Sequence, residues 1–224
     1  MDKAIVLASG GLDSCVSIAC AINDGYEVCL LHINYGQRTQ KREYQAFNDI
    51  ANYYGIQNKL IIDIDYLRQI GGSSLVDFSI PIEEETIPSS TGEIPLTYVP
   101  FRNANMISIA VSWAEVIGAK KIYVGAVEED SSGYPDCREI FYEKFNELLK
   151  VALLPQNNIE IVTPLIHLNK AEIVYQGILL KAPLHLTWSC YQSEDEACGV
   201  CESCKLRLRG FELAGERDPI AYRQ

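Results

Sequence analysis

Basic residues are scarce in this chain. Nineteen Lys and Arg stand against 30 Asp and Glu, a formal net charge of −11 at pH 7. Such a surface repels polyanions and argues against RNA or DNA as a partner. No apolar run is long enough to cross a bilayer, and no charged-then-apolar leader opens the chain, so a cytoplasmic protein without membrane contact is expected. In that compartment the 8 cysteines are expected to be reduced rather than paired as disulfides. Histidine is equally thin, limited to His32, His167 and His185. His32 ends an apolar run and reads as packing at the core edge; the other two flank one predicted helix. Also missing are the lysine that would turn a glycine turn into G-x-x-x-x-G-K-[ST], any G-x-G-x-x-G, and any internal repeat or low-complexity stretch.

What is present begins with Ala4 to Ala8, an apolar run that reads as a buried strand, followed by Ser9-Gly10-Gly11-Leu12-Asp13-Ser14 and an apolar helix from Cys15 to Ile22. Strand, glycine turn and helix make a phosphate site: the turn gathers backbone N–H groups, the helix N-terminus adds its positive dipole end, and Ser9 and Ser14 add hydroxyl donors. The pattern looks like the pyrophosphatase loop of enzymes that cut ATP between the α and β phosphates. Asp13 within it reads as a magnesium-associated or loop-bracing residue. Further strands are expected at Val28–Ile33, Lys59–Ile64, Lys121–Ala126 and Ile159–Val162. Helices are expected at Lys41–Tyr54, Asn103–Ile117 with Gly118 as its stop, and Glu139–Leu153. Another runs from the capping-box pattern Asn169–Glu172 to about Leu180. The alternation implies a parallel sheet with right-handed crossovers. Ile140, Phe141, Phe145, Leu148, Leu149 and Ala152 are expected to form one buried stripe.

A long connection from Gly71 to Pro100, with the acidic run Glu83–Glu85, interrupts the rhythm and reads as a binding loop or a solvated insertion. Polar loops follow the second strand at Asn34–Arg38 and the fourth at Glu128–Arg138, where open α/β sheets place ligands. Near the other end, Cys198, Cys201 and Cys204 are spaced C-x₂-C-x₂-C, with Cys190 upstream. Four thiolates this close suit a closed structural zinc site; an iron–sulfur cluster is the rival. Cys15, Cys20 and Cys29 lie in apolar runs and read as inert core residues.

Together Ser9–Ser14, Tyr35-Gly36-Gln37-Arg38, Arg102-Asn103, Ser132 to Arg138, Thr163-Pro164-Leu165, Thr187 to Tyr191, the cysteine cluster, Leu206-Arg207 and Gly210-Phe211 make the chain resemble the 7-cyano-7-deazaguanine synthase family over nearly its whole length. Thr39 and Phe101 depart from the family pattern, which commonly has a histidine and a small residue there. The resemblance implies a Rossmann-like, doubly wound α/β fold of the adenine nucleotide alpha-hydrolase type. It has one domain over 1–224, five parallel strands in the order 3-2-1-4-5 and a zinc-binding C-terminal appendage at about 187–224. It implies an ATP-dependent ligase that joins 7-carboxy-7-deazaguanine and ammonia, with Mg²⁺ and Zn²⁺, as a homodimer. The expected ATP-binding stretch is Ala8, Ser9, Gly10, Gly11, Leu12, Asp13, Ser14 and Cys15. Asp13, Arg38, Arg102 and Lys170 are the expected catalytic groups, and Tyr134, Asp136 and Arg138 the expected substrate contacts, Asp136 as acceptor for a guanine-like edge. Two other readings compete: a tRNA-thiolating enzyme of the same loop class, disfavoured by the charge, and a non-catalytic nucleotide-binding zinc module.

Overall fold

The computed structural model describes residues 1–82, 94–128 and 134–223. The acidic run Glu83–Glu85, the turn Ser89–Gly92 and the Ser132-Gly133 pair fall outside them. The described elements run β1 (Lys3–Leu7), α1 (Leu12–Asn23), β2 (Glu27–Asn34), α2 (Gln40–Tyr53), β3 (Lys59–Asp63), α3 (Tyr66–Ile70) and α4 (Arg102–Ile117). They continue with β4 (Lys121–Tyr123), α5 (Glu139–Ala152), β5 (Glu160–Val162), α6 (Lys170–Leu179) and α7 (Glu202–Leu213).

Apolar runs such as Ala4-Ile5-Val6 become strands covered on both faces, each of these three residues being fully buried. All neighbouring strands are parallel, in the order β3-β2-β1-β4-β5, so the expected topology holds. One face of the sheet is sealed by α4 and α5, through Ile107, Ala110 and Leu149. The other is sealed by α1, α2 and α6, through Val16, Phe47 and Ile173. Doubly wound sheets open a crevice where the strand order reverses, here between β1 and β4. Val6 pairs with Leu30 on one side and Tyr123 on the other, so the loops leaving β1, β2 and β4 emerge level with one another.

Helix ends follow the residues that cap them. α6 opens on a capping box: Glu172 N–H donates to the Asn169 side chain at 3.0 Å, and Asn169 N–H donates to the Glu172 carboxylate at 2.9 Å. α4 ends at Gly118 as its sequence predicts. The stripe expected on α5 is rotated. Tyr142 and Leu149 face inward, while Ile140 is 47% and Leu148 52% exposed, and Ala152 is also exposed. The Tyr142 hydroxyl donates to the Asp136 carbonyl at 3.1 Å, which turns the helix about its axis to bring this tyrosine to the sheet.

Candidate active site

The loop between β1 and α1 forms the floor of a cavity of about 310 Å³. Gly11 caps α1 in extended conformation without a side-chain hydrogen bond, so the first-turn N–H groups face outward, as an anion site requires. The loop is fixed from within. Gly11 N–H donates to Ser9 Oγ at 3.2 Å, Ser9 Oγ lies 3.3 Å from Ser14 Oγ, and Ser14 Oγ donates to the Gly11 carbonyl at 3.0 Å. Gly10 has φ +91°, and a Cβ there would sit 2.5 Å from the Glu43 carbonyl oxygen, so both its torsion and its packing demand glycine.

Ala8, Ser9, Gly11, Leu12, Asp13 and Ser14 border the cavity. Gly10 lies behind the loop against α2, and Cys15 is buried in the core, its thiol pushed up to about 12 by burial, so it does not reach a ligand. Asp13 is held by Lys170 from the first turn of α6, whose Nζ donates to both carboxylate oxygens at 2.9 and 3.0 Å. This pair unites two expected catalytic groups and favours the loop-bracing reading of Asp13. Gly125, just past β4, passes so close that a Cβ there would lie 2.9 Å from the Asp13 carbonyl carbon. The glycine beyond an apolar strand is the signal for this backbone approach.

Arg102 and Tyr134 also border the cavity. Arg102 Nη1 donates to Tyr35 Oη at 3.2 Å and its guanidinium stacks over the Tyr35 ring. Burial alone would lower this guanidinium, but Tyr35, Cys137, Tyr134 and Asp136 outweigh it and hold Arg102 charged. Burial also pushes the Tyr134 hydroxyl up to about 12, and it pairs with Thr97.

Three expected contacts are not brought to the cavity. Arg38 turns to the 71–80 segment, where Nε donates to the Ser74 carbonyl at 2.7 Å and Nη2 to the Ile80 carbonyl at 2.6 Å. Arg38 thereby braces the loop. Asp136 is 4% exposed and accepts from the Asn103 N–H at 3.0 Å, capping the start of α4 in place of a side chain from α4 itself. Burial raises its carboxyl. Arg138 lies at the surface, donating to the Pro135 carbonyl. The histidines stay apart from the cavity. His32 is fully buried between the Ala8 carbonyl and Asn34, with its imidazole lowered by burial, and His167 pairs with Glu139 at the surface.

The far wall comes from 188–207. Trp188 N–H donates to the Gly10 carbonyl at 2.9 Å, and Ser189, Tyr191, Glu202 and Ser203 border the cavity. Arg207 is 1% exposed. It makes a bidentate pair with Asp218 at 2.8 and 3.0 Å and donates to Thr187 Oγ1 at 2.7 Å, tying α7 to the segment before the cysteines. The cysteine signature does not reveal this buried arginine.

Behind this wall, Sγ atoms of Cys190, Cys198, Cys201 and Cys204 all lie within 4.8 Å of one another. Backbone N–H groups of Gln192, Cys198 and Cys201 point at the sulfurs at 3.3–3.4 Å. Hydrogen bonds from Cys201 and Cys204 hold the Cys190 thiol far below its ordinary range. Four sulfurs with supporting N–H donors fit a tetrahedral metal such as zinc.

Comparison with known proteins places the chain in a family. The family model described as "Queuosine biosynthesis protein QueC" matches residues 3–215. A curated relative named 7-cyano-7-deazaguanine synthase, from Chlorobium phaeobacteroides (strain DSM 266), is 57% identical over 222 residues, 99% of this chain and 97% of the relative. One of the same name from Chloroherpeton thalassium is 58% identical over 221 residues, 99% of this chain and 97% of the relative. Among solved structures, a predicted subunit of tRNA methyltransferase from Methanocaldococcus jannaschii superposes with a TM-score of 0.50 at 16% identity. The match covers 81% of this chain and 75% of that one, a likeness of fold.

Proposed function

The chain belongs to the QueC family of queuosine biosynthesis proteins, and from that premise we propose that it uses ATP to turn 7-carboxy-7-deazaguanine and ammonia into 7-cyano-7-deazaguanine. The observation that carries the chemistry is the uncapped start of α1 beside a charged Arg102 in one cavity. The substrate carboxylate attacks the α phosphorus of ATP. Pyrophosphate departs onto the N–H groups of Gly11 to Ser14 and the Ser9 and Ser14 hydroxyls. Arg102 neutralises the carboxylate and the α-phosphate oxygens as the acyl-adenylate forms. Ammonia then attacks the acyl carbon and AMP leaves, giving the amide. The amide oxygen then attacks the α phosphorus of a second ATP and a second pyrophosphate leaves; loss of AMP and of both protons from nitrogen gives the nitrile. Tyr134 and Tyr191 supply flat walls for the heterocycle.

Magnesium would accompany the ATP phosphates and neutralise their charge. Cys190, Cys198, Cys201 and Cys204 would hold zinc as a closed structural site with no activated water. In this reading the chain acts as one domain in the cytoplasm, with 187–224 as its zinc appendage. It works as a homodimer on small molecules, without nucleic acid or membrane partners; among the described residues, no helix is long and apolar enough to cross a membrane.

The test is incubation with ATP, magnesium, ammonium and the acid, following AMP, pyrophosphate and the nitrile by mass spectrometry. Asp13→Ala should cut AMP formation at least roughly 100-fold, because it frees Lys170 and unbraces the phosphate loop, a loss the size of one removed transition-state contact. Wild-type protein that forms no AMP with the acid would overturn the reading.

A further inference from the structure

Among the described residues, three carboxylates border the cavity: Asp13, Glu43 and Glu202. Asp13 is engaged by Lys170, and Glu202 sits across the cavity on α7, beside the cysteine cluster. Glu43, in the first turn of α2, has a different setting. Gln37 Nε2 donates to Glu43 Oε2 at 3.1 Å, and Thr39 Oγ1 donates to Oε1 at 2.8 Å. The orientation of Gln37 is itself fixed, because Tyr35 N–H donates to its Oε1 at 2.9 Å. That contact leaves only the NH₂ group of Gln37 to face Glu43, so Oε2 is held as an acceptor. Tyr35 in turn takes Arg102 on its hydroxyl. Tyr35 thus touches both Arg102, through its hydroxyl, and Gln37, through its backbone N–H.

Resting on the ligase reading above, we propose that Glu43 binds ammonium in the cavity and takes its proton, delivering neutral ammonia to the acyl-adenylate. Position favours this role. Glu43's backbone is packed on Gly10 of the phosphate loop, and the residue borders the same cavity as Asp13 and Arg102. The paired N–H edge of a deazaguanine is on the other side of the ring system from its carboxyl group. Each Glu43 oxygen has one bond from its supporting residue and a second lone pair for an N–H of the cation. The step balances: ammonium gives one proton to the carboxylate, the nitrogen lone pair forms the C–N bond, AMP leaves with the acyl–oxygen electron pair, the nitrogen sheds a second proton to solvent as the amide forms, and Glu43 returns its own proton to solvent.

Burial raises the Glu43 carboxyl, which strengthens it as a proton acceptor. The hydrogen bonds from Thr39 and Gln37 and the charge of Arg102 oppose that rise, and Glu194 adds to it.

The test is Glu43→Gln in the full-length protein. Pyrophosphate exchange into ATP with the acid, which needs no ammonia, should stay within about twofold of wild type. By contrast kcat/KM for ammonium near neutral pH should fall roughly 100-fold, the scale of lost general-base catalysis. Hydroxylamine, neutral at that pH, should recover most of the lost rate. Unchanged ammonium kinetics would overturn the proposal, as would collapse of the exchange reaction, which would instead put Glu43 on magnesium or on the heterocycle. If Glu43→Gln does not fold, Glu43→Asp takes its place: exchange should persist with roughly tenfold lower kcat/KM for ammonium, and an unchanged value counts against the proposal. A wild-type protein without exchange would instead defeat the ligase reading, so the two failures are distinguishable.

Discussion

At the scale of single residues, the site is built from groups whose charge is held by a neighbour: Asp13 by Lys170, Arg207 by Asp218, Glu43 by Gln37 and Thr39. The cost of enclosing Glu43 is measurable. Its carboxyl is raised by burial, so the folded state binds that proton more tightly than the unfolded chain. Stability from this group is therefore present at low pH and is lost as pH rises from the ordinary carboxylate range through the raised folded value. Glu43→Gln keeps an acceptor for Gln37 and a donor for Thr39, and removes the charge. It should match wild-type stability near pH 4 and exceed it at pH 7.5 by on the order of 1 kcal/mol, as thermal melts at the two pH values will show. Residue roles were only partly legible in the sequence. Ser9 to Ser14 could be assigned because strand, glycines and helix are contiguous and define their own geometry. Arg38 and Asp136 could not, because their roles depend on which distant partner arrives first. For Arg38 that partner is a row of loop carbonyls, and for Asp136 it is the Asn103 N–H.

At the scale of elements, strands and their order were legible because parallel strands buried on both faces read as continuous apolar runs. The capped helices α4 and α6 were legible for the same local reason. α5 was legible in its bounds and in Phe141, Phe145 and Leu149, but not in its exact face: Ile140 and Leu148 are exposed, and Tyr142 turns inward to donate to the Asp136 carbonyl. The start of α4 has a further cost. Phe101 caps it with φ +57°, a left-handed conformation that burdens a side chain, and its ring is 62% exposed. Phe101→Gly should raise stability by about 1 kcal/mol, read as a higher melting temperature, with ATP affinity unchanged. The cysteine segment is held differently. Cys201→Ser should remove about one metal equivalent by elemental analysis. It should also loosen α7, seen as rapid hydrogen exchange over 202–213, since structural metal sites carry the folding energy of the segments they join.

For the whole molecule, −11 charges on 224 residues disfavour a polyanionic partner. Light scattering at micromolar concentration should report twice the 25.1 kDa chain mass if the family's expected homodimer forms; a 25.1 kDa species alone would exclude it. The sequence also gave no sign of how far apart the pieces of the cavity lie along the chain. Trp188 donates its N–H to the Gly10 carbonyl, so the phosphate loop is finished only by a segment far downstream of it. Without that segment β1 and α1 can form, but the loop lacks its final backbone tether. A nascent chain arrested before Trp188 should therefore be unable to retain ATP.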